Sequence, residues 1–307
     1  MTTLEVRRPK FDFTGDVPWE WNPQNPQFSF FMNATSMIAI CFEQMIVAAV
    51  QEAKPLLTDP DAAAEAKAFL RQEAQHASTH RKHVAALIKH YPGLQHTFDA
   101  AMASFDHVTA TTPLKFRLAY IADLEATFTP SFKMILDNEA TLFRGGDERV
   151  ASLFMWHFVE EVEHRSSALV VYDAAFGDNW YRMRALPRVW RHLVAVTRII
   201  AEGVNEHVPE EDRGLDARTL LPTFGIREAL RRRLPVGGKP STPPMPNAFA
   251  TVPRKERLIS VARVLLSQTP FHNPANEPLP EFADRWFERW NAGGDVTRWY
   301  TAEPAAR

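Results

Sequence analysis

Between Ser36 and Val50 the chain reads SMIAICFEQMIVAAV, and Glu43 is the one charged side chain in that run. So apolar a stretch belongs in a core, and a helix passing through a core carries its carboxylate inside with it. An unpaired buried carboxylate costs several kcal/mol. Divalent cations brought to the middle of that helix are a natural compensation.

Other segments offer a way to do so. FLRQEAQHASTH places Glu73 and His76 at i, i+3, on one face of a helix. WHFVEEVEHRSS places His157, Glu161 and His164 at i, i+4 and i+7, within an arc of roughly 60° at about 100° per residue. Glu125 lies in AYIADLEATFTPSF, and Asp123, two residues earlier, faces another side of the helix. Two Glu-x-x-His pairs plus one lone glutamate on each of two further helices is how di-iron carboxylate bundles build a dinuclear site. Four ionised glutamates carry −4, and two divalent ions would neutralise them. Without metal the carboxylates repel and take up protons. A mixed oxygen and nitrogen donor set suits iron or manganese, whereas thiolates would point to zinc or iron–sulfur.

The expected metal ligands are thus Glu43, Glu73, His76, Glu125, His157, Glu161 and His164. One Glu-x-x-His on a helix is common by chance; the four-helix combination is far more specific. His157 has an alternative as a core histidine bonded to a backbone carbonyl. His80 and His83 read as outer groups, with His80 as an extra ligand the alternative. Glu160 and Glu163 turn away from the ligand arc and read as solvated or salt-bridged. Glu43 and Glu125 are also candidate catalytic groups, together with Thr129, which either lines a substrate pocket or bonds back to its own helix.

Helical punctuation surrounds these motifs. One helix runs from Phe28 to about Lys54 and closes at Pro55; the next opens at Thr58-Asp59-Pro60 and stops before Pro92-Gly93. A shorter helix fills 95–109. A third long helix runs from Pro113 to Gly145-Gly146, with a kink expected at Pro130, and a fourth from an Asp147 cap to Gly177. A fifth covers about 181–207. Strand-like alternation is nearly absent. Of the 23 prolines, 13 lie in the final 99 residues, where we expect a helical turn region at about 215–233, a loop, and helices near 254–267 and 279–292. Trp286 and Trp290 give the last of these an apolar anchor. Arg231-Arg232-Arg233 reads as a short exposed basic patch. The fold class is all-α: an N-terminal arm (1–27), a four-helix bundle with added helices (28–208), and a Pro-rich helical extension packed on it (209–307).

Net charge is −2, from 35 basic and 37 acidic side chains, which gives no reason to expect nucleic acid as a partner. Cys41 is the single cysteine, so no internal disulfide forms, and a cytoplasmic location is expected. No secretory signal and no membrane span are expected, the longest apolar runs being interrupted by Glu43 or by Arg191 and Arg198.

The arm VRRPKFDFTGDVPWEWNP, with FEQMI, RQEAQHASTHRKH and WHFVEEVEHRSSALVVYD, resembles the bacterial family of predicted metal-dependent hydrolases. The ligand pattern is similar to that of ferritin-like di-iron enzymes, and His157 adds a resemblance to di-iron N-oxygenases of aminoarenes, in which the matching histidine is a ligand. Three functions compete. The first is an O2-activating di-iron oxygenase or oxidase of a small organic substrate, using Fe/Fe or Mn/Fe, O2 as co-substrate and an electron-donor protein. The second is a dinuclear hydrolase of an ester or phosphoester; the third is non-catalytic iron binding. A homodimer is expected from the general frequency of two-fold assemblies.

Overall fold

The computed structural model describes residues 4–221 and 247–301. The Arg231-Arg232-Arg233 patch and most of the turn region anticipated at 215–233 lie outside them. Among the described residues all regular structure is helical.

Local sequence explains most boundaries. Helix α1 (Pro26–Ala53) begins where Asn25 accepts a hydrogen bond from the Phe28 amide at 3.1 Å and Pro26 presets the first turn. Helix α2 (Pro60–His90) starts the same way, with Asp59 accepting from the Asp61 amide at 2.9 Å. Helix α3 spans Leu94–Thr111, and α4 (Leu114–Asp137) continues through Pro130 without ending.

Two long helices are shorter than expected. Helix α4 stops at Asp137, because Asn138 leaves the helical conformation and its side-chain amide donates to Met134 O at 2.9 Å and to Glu256 at 2.7 Å. Only a single turn, α5 (Glu139–Leu142), follows. The fourth helix divides into α6 (Glu148–Glu163) and α7 (Ser167–Ala175), with His164 as the C-cap of α6. The Arg165-Ser166-Ser167 corner is fastened to α2 by Ser167 Oγ, which donates to Glu65 at 2.5 Å. Helix α8 (Asn179–His207) is capped by Asp178, and a short α9 (Glu210–Arg213) follows. After the undescribed stretch come α10 (Arg254–Ser267) and α11 (Glu281–Asn291).

Helices α1, α2, α4 and α6 surround the interior; α3, α7 and α8 pack outside them, and α10 lies along α4. By length and composition Pro26–Leu56 is apolar enough to cross a membrane, but 72% of its most apolar window is buried inside the protein. The N-terminal arm packs its aromatic side chains inward: Phe11 meets Trp156 at 5.5 Å and Trp19 meets Phe30 at 5.9 Å. Trp286 is fully buried on α11, stacked on Trp290 with centroids 5.8 Å apart.

Asp147 links arm and bundle. It accepts from the amides of Arg149 (2.9 Å) and Val150 (3.4 Å) at the start of α6 and pairs with the Arg149 guanidinium at 2.6 Å. Arg149 in turn donates to the carbonyls of Thr14 and Asp16 at 2.7 and 2.8 Å. Burial pushes the Asp147 carboxyl up, but the hydrogen bond and charge of Arg149 outweigh it and hold the pKa below 3.8. A depressed folded pKa contributes stability above the unfolded value, and that contribution is lost as pH falls through the folded one. Asp147→Ala should therefore cost about 1 kcal/mol near neutrality. Circular-dichroism melts should show the gap to wild type constant from about pH 5 to 7 and shrinking below about pH 4.

Candidate metal centre

The seven expected ligands converge in the bundle interior, all of them buried. Glu43 comes from α1, Glu73 and His76 from α2, Glu125 from α4, His157 and Glu161 from α6, and His164 from the end of α6. Ligand atoms of Glu43, His76, His157 and Glu161 lie within 4.8 Å of one another, and so do those of Glu73, Glu161 and His164. Glu161 belongs to both groups: its Oε1 is 2.8 Å from His157 Nε2 and 3.5 Å from His76 Nδ1, while its Oε2 is 3.0 Å from His164 Nε2. Glu125 stands beside the second group, 3.7 Å from His164 Nε2.

Donor chemistry fits a pair of cations. Glu43 Oε2, both oxygens of Glu73, Glu125 Oε1 and His76 Nδ1 are buried without a hydrogen-bond partner. Folding leaves such atoms bare only at a cost unless something else binds them.

Each histidine is also held from behind, so that one ring nitrogen faces the cluster. His76 Nε2 pairs with Glu160 Oε2 at 2.9 Å, which leaves Nδ1 facing inward. His164 Nδ1 pairs with Gln72 Oε1 at 3.0 Å, and Gln72 Nε2 donates to Glu163 at 3.0 Å and to the Glu5 carbonyl at 2.8 Å. His157 Nδ1 meets His80 Nε2 at 2.8 Å; His80 Nδ1 and His83 Nδ1 then share Ser36 Oγ at 2.8 and 2.9 Å. One set of neutral tautomers satisfies all three chains and points a lone pair inward from each ligand ring.

Outer partners correct part of the sequence picture. Of the two alternatives for Glu160 the structure shows the salt bridge, to Arg7 at 3.3 Å, and adds that the side chain is fully buried and bonded to His76. Arg7 comes from the arm, pairs with Glu163 at 2.7 Å, and lies under Phe287 of α11, 4.7 Å from its ring centroid. His80 belongs to neither ligand group and sits behind His157. Gln72, Ser36 and Arg7 were not anticipated. Helical spacing placed Gln72 one turn before His76, a usable signal, but nothing in the sequence brings residue 7 to residue 160. Thr129 is buried one turn beyond Glu125, and Asp123 turns away to pair with Arg182 at 3.0 Å.

Crowding of like charges sets the protonation of the metal-free cluster. Burial first, and then the neighbouring carboxylates, raise Glu43 and Glu125 well above the usual carboxylate value, and burial with Glu161 raises Glu73. Burial also pushes Glu161 up, but the charge of His164 and hydrogen bonds from three histidines reverse this and hold it well below. Burial opposes protonation of His76 and His164, yet the surrounding carboxylates raise both. His157, buried beside His76, falls to about 4.

An all-helical bundle around a buried carboxylate–imidazole cluster defines a helical protein with a candidate metal centre. The chain belongs to the family of predicted metal-dependent hydrolases, whose model matches residues 5–235. No curated protein and no solved structure matches it.

Two outcomes follow. Raised carboxyl groups hold protons that a cation must displace, so metal uptake should release protons and apparent affinity should rise with pH; potentiometric titration of metal-free protein in weak buffer measures both. Glu160→Leu should weaken metal binding by about 10- to 100-fold with helix content unchanged, as read by chelator competition and circular dichroism.

Proposed function

We propose that this protein is a dinuclear metal-dependent hydrolase acting on an ester or phosphoester. Family membership supports the reaction class, and the observation that carries the site assignment is Glu161, which offers one oxygen to each of the two ligand groups. Glu43, His76 and His157 would hold one ion, Glu73 and His164 the other, with Glu161 between them. Bound there, the ions would supply Lewis acidity toward the scissile group and make water more acidic.

The chain's own residues do the rest. Glu125, beside the second group with Oε1 free of hydrogen bonds, is placed to accept a proton from an attacking water. Tautomer control by Glu160, Gln72 and His80 keeps the three ligand imidazoles neutral and oriented. Phe69 and Trp156, each with its ring 5.0 Å from a ligand histidine, exclude bulk water.

The same dry, carboxylate-rich enclosure favours a second reading, oxidation of a small organic molecule with O2 at an iron pair in a ferritin-like bundle. The two separate cleanly. Protein loaded with Zn2+ or Mn2+ should cleave p-nitrophenyl esters or phosphoesters without oxygen, and Glu125→Gln should lower the rate about 10²- to 10⁴-fold while metal content stays above half. Inactivity under those conditions, with substrate-dependent O2 uptake by the iron-loaded protein, would replace hydrolysis by oxidation.

A further inference from the structure

Beside the centre, between α4 and α10, lies a cleft of about 560 Å³. That volume falls in the range of small-molecule sites, roughly 300–1,000 Å³. Its walls are apolar: Phe31 and Phe249, in edge contact at 5.4 Å, face Ile135 and Val264. Val261 and Leu265 line it as well and are 57% and 68% exposed, apolar surface that the described chain does not cover.

Two arginines interrupt this lining. Arg254 and Arg257 sit one turn apart on α10, and none of the cleft's lining residues is acidic. Neither arginine has a hydrogen-bond or ion-pair partner among the described residues, and Arg257 Nε is buried without one. The buried arginines Arg7, Arg117 and Arg182 are each paired with a carboxylate. An unpartnered arginine pair at the edge of an apolar cleft suits a planar anion, which it can bind in the forked geometry that guanidinium and carboxylate share.

Phe132 connects cleft and centre. It lines the cleft, stacks on Phe158 at 3.9 Å and 14°, and has its ring 6.4 Å from that of His157. A molecule held at the arginines therefore shares its cleft with the aromatic side chain that borders His157.

We propose that this cleft is the substrate site and that it takes a molecule with an apolar body and a carboxylate, held by Arg254 and Arg257, with its reactive end toward Phe132. The assignment of a reactive end rests on the metal-dependent activity proposed above; the binding preference does not.

Isothermal titration calorimetry on the full-length, metal-loaded protein tests it, with octanoate as probe and octylamine and octanol as controls. Octanoate should bind at least about tenfold more tightly than either control, a difference worth about 1.4 kcal/mol. The double variant Arg254→Ala/Arg257→Ala should remove that preference. Val261→Trp, at an exposed position that leaves the core intact, should block octanoate by filling the cleft. In cobalt(II)-loaded protein, saturating octanoate should shift the visible absorption. Equal binding of octylamine, no octanoate binding, or indifference to both variants overturns the proposal, and an unchanged cobalt spectrum overturns the link between cleft and centre. Selective binding without hydrolytic turnover would leave the cleft assignment standing and reject only the hydrolase reading.

Discussion

Mutual repulsion among four buried carboxylates is the constraint around which the molecule is organised. Glu43, Glu73, Glu125 and Glu161 come from four different helices, and each is brought out of water by the packing of the helix that carries it. Nothing but cationic or protonated partners makes such convergence tolerable. His76 and His164 supply part of the answer, and the bare oxygens that remain show where further positive charge would sit.

Around that centre the protein builds orientation in layers. The inner rings are clamped by a carboxylate, an amide and a fourth imidazole, three chemically different acceptors that impose the same result on their ligands. Behind them stand Arg7, Glu163 and Ser36, drawn from the arm, the last turn of α6 and α1. A ring that cannot rotate keeps its inner nitrogen aimed at the cluster, which lowers the reorganisation needed on binding.

How much of this was legible depended on the distance over which each signal acts. Helix termini at Asp59-Pro60 and Asp147 are written in three or four consecutive residues, whereas the Asn25 cap that starts the first helix two residues before Phe28 emerges only from the structure. Glu43 is conspicuous because its surroundings are apolar, and the His157, Glu161, His164 spacing is a property of one turn and a half of helix. The break after His164 was harder to read, since Ser166 and Ser167 are compatible with helix until Glu65 on another helix takes up the Ser167 hydroxyl. Arg7 and Glu160 meet across 153 positions of chain, and no local pattern encodes such a pairing. For the same reason Glu160 reads only as solvated or salt-bridged: helical angle gives a direction, but which of the two holds depends on an arm whose path the sequence does not disclose.

The position of Arg7 also bears on how one flank of the cluster is closed. Its guanidinium lies between glutamates of α6 and the ring of Phe287 on α11. Every side chain of the buried carboxylate–imidazole cluster lies within the first 164 residues, whereas the helix that roofs Arg7 follows more than a hundred residues later in the chain. Closure of this flank of the cluster thus depends on a contact between the N-terminal arm and a helix far along the chain.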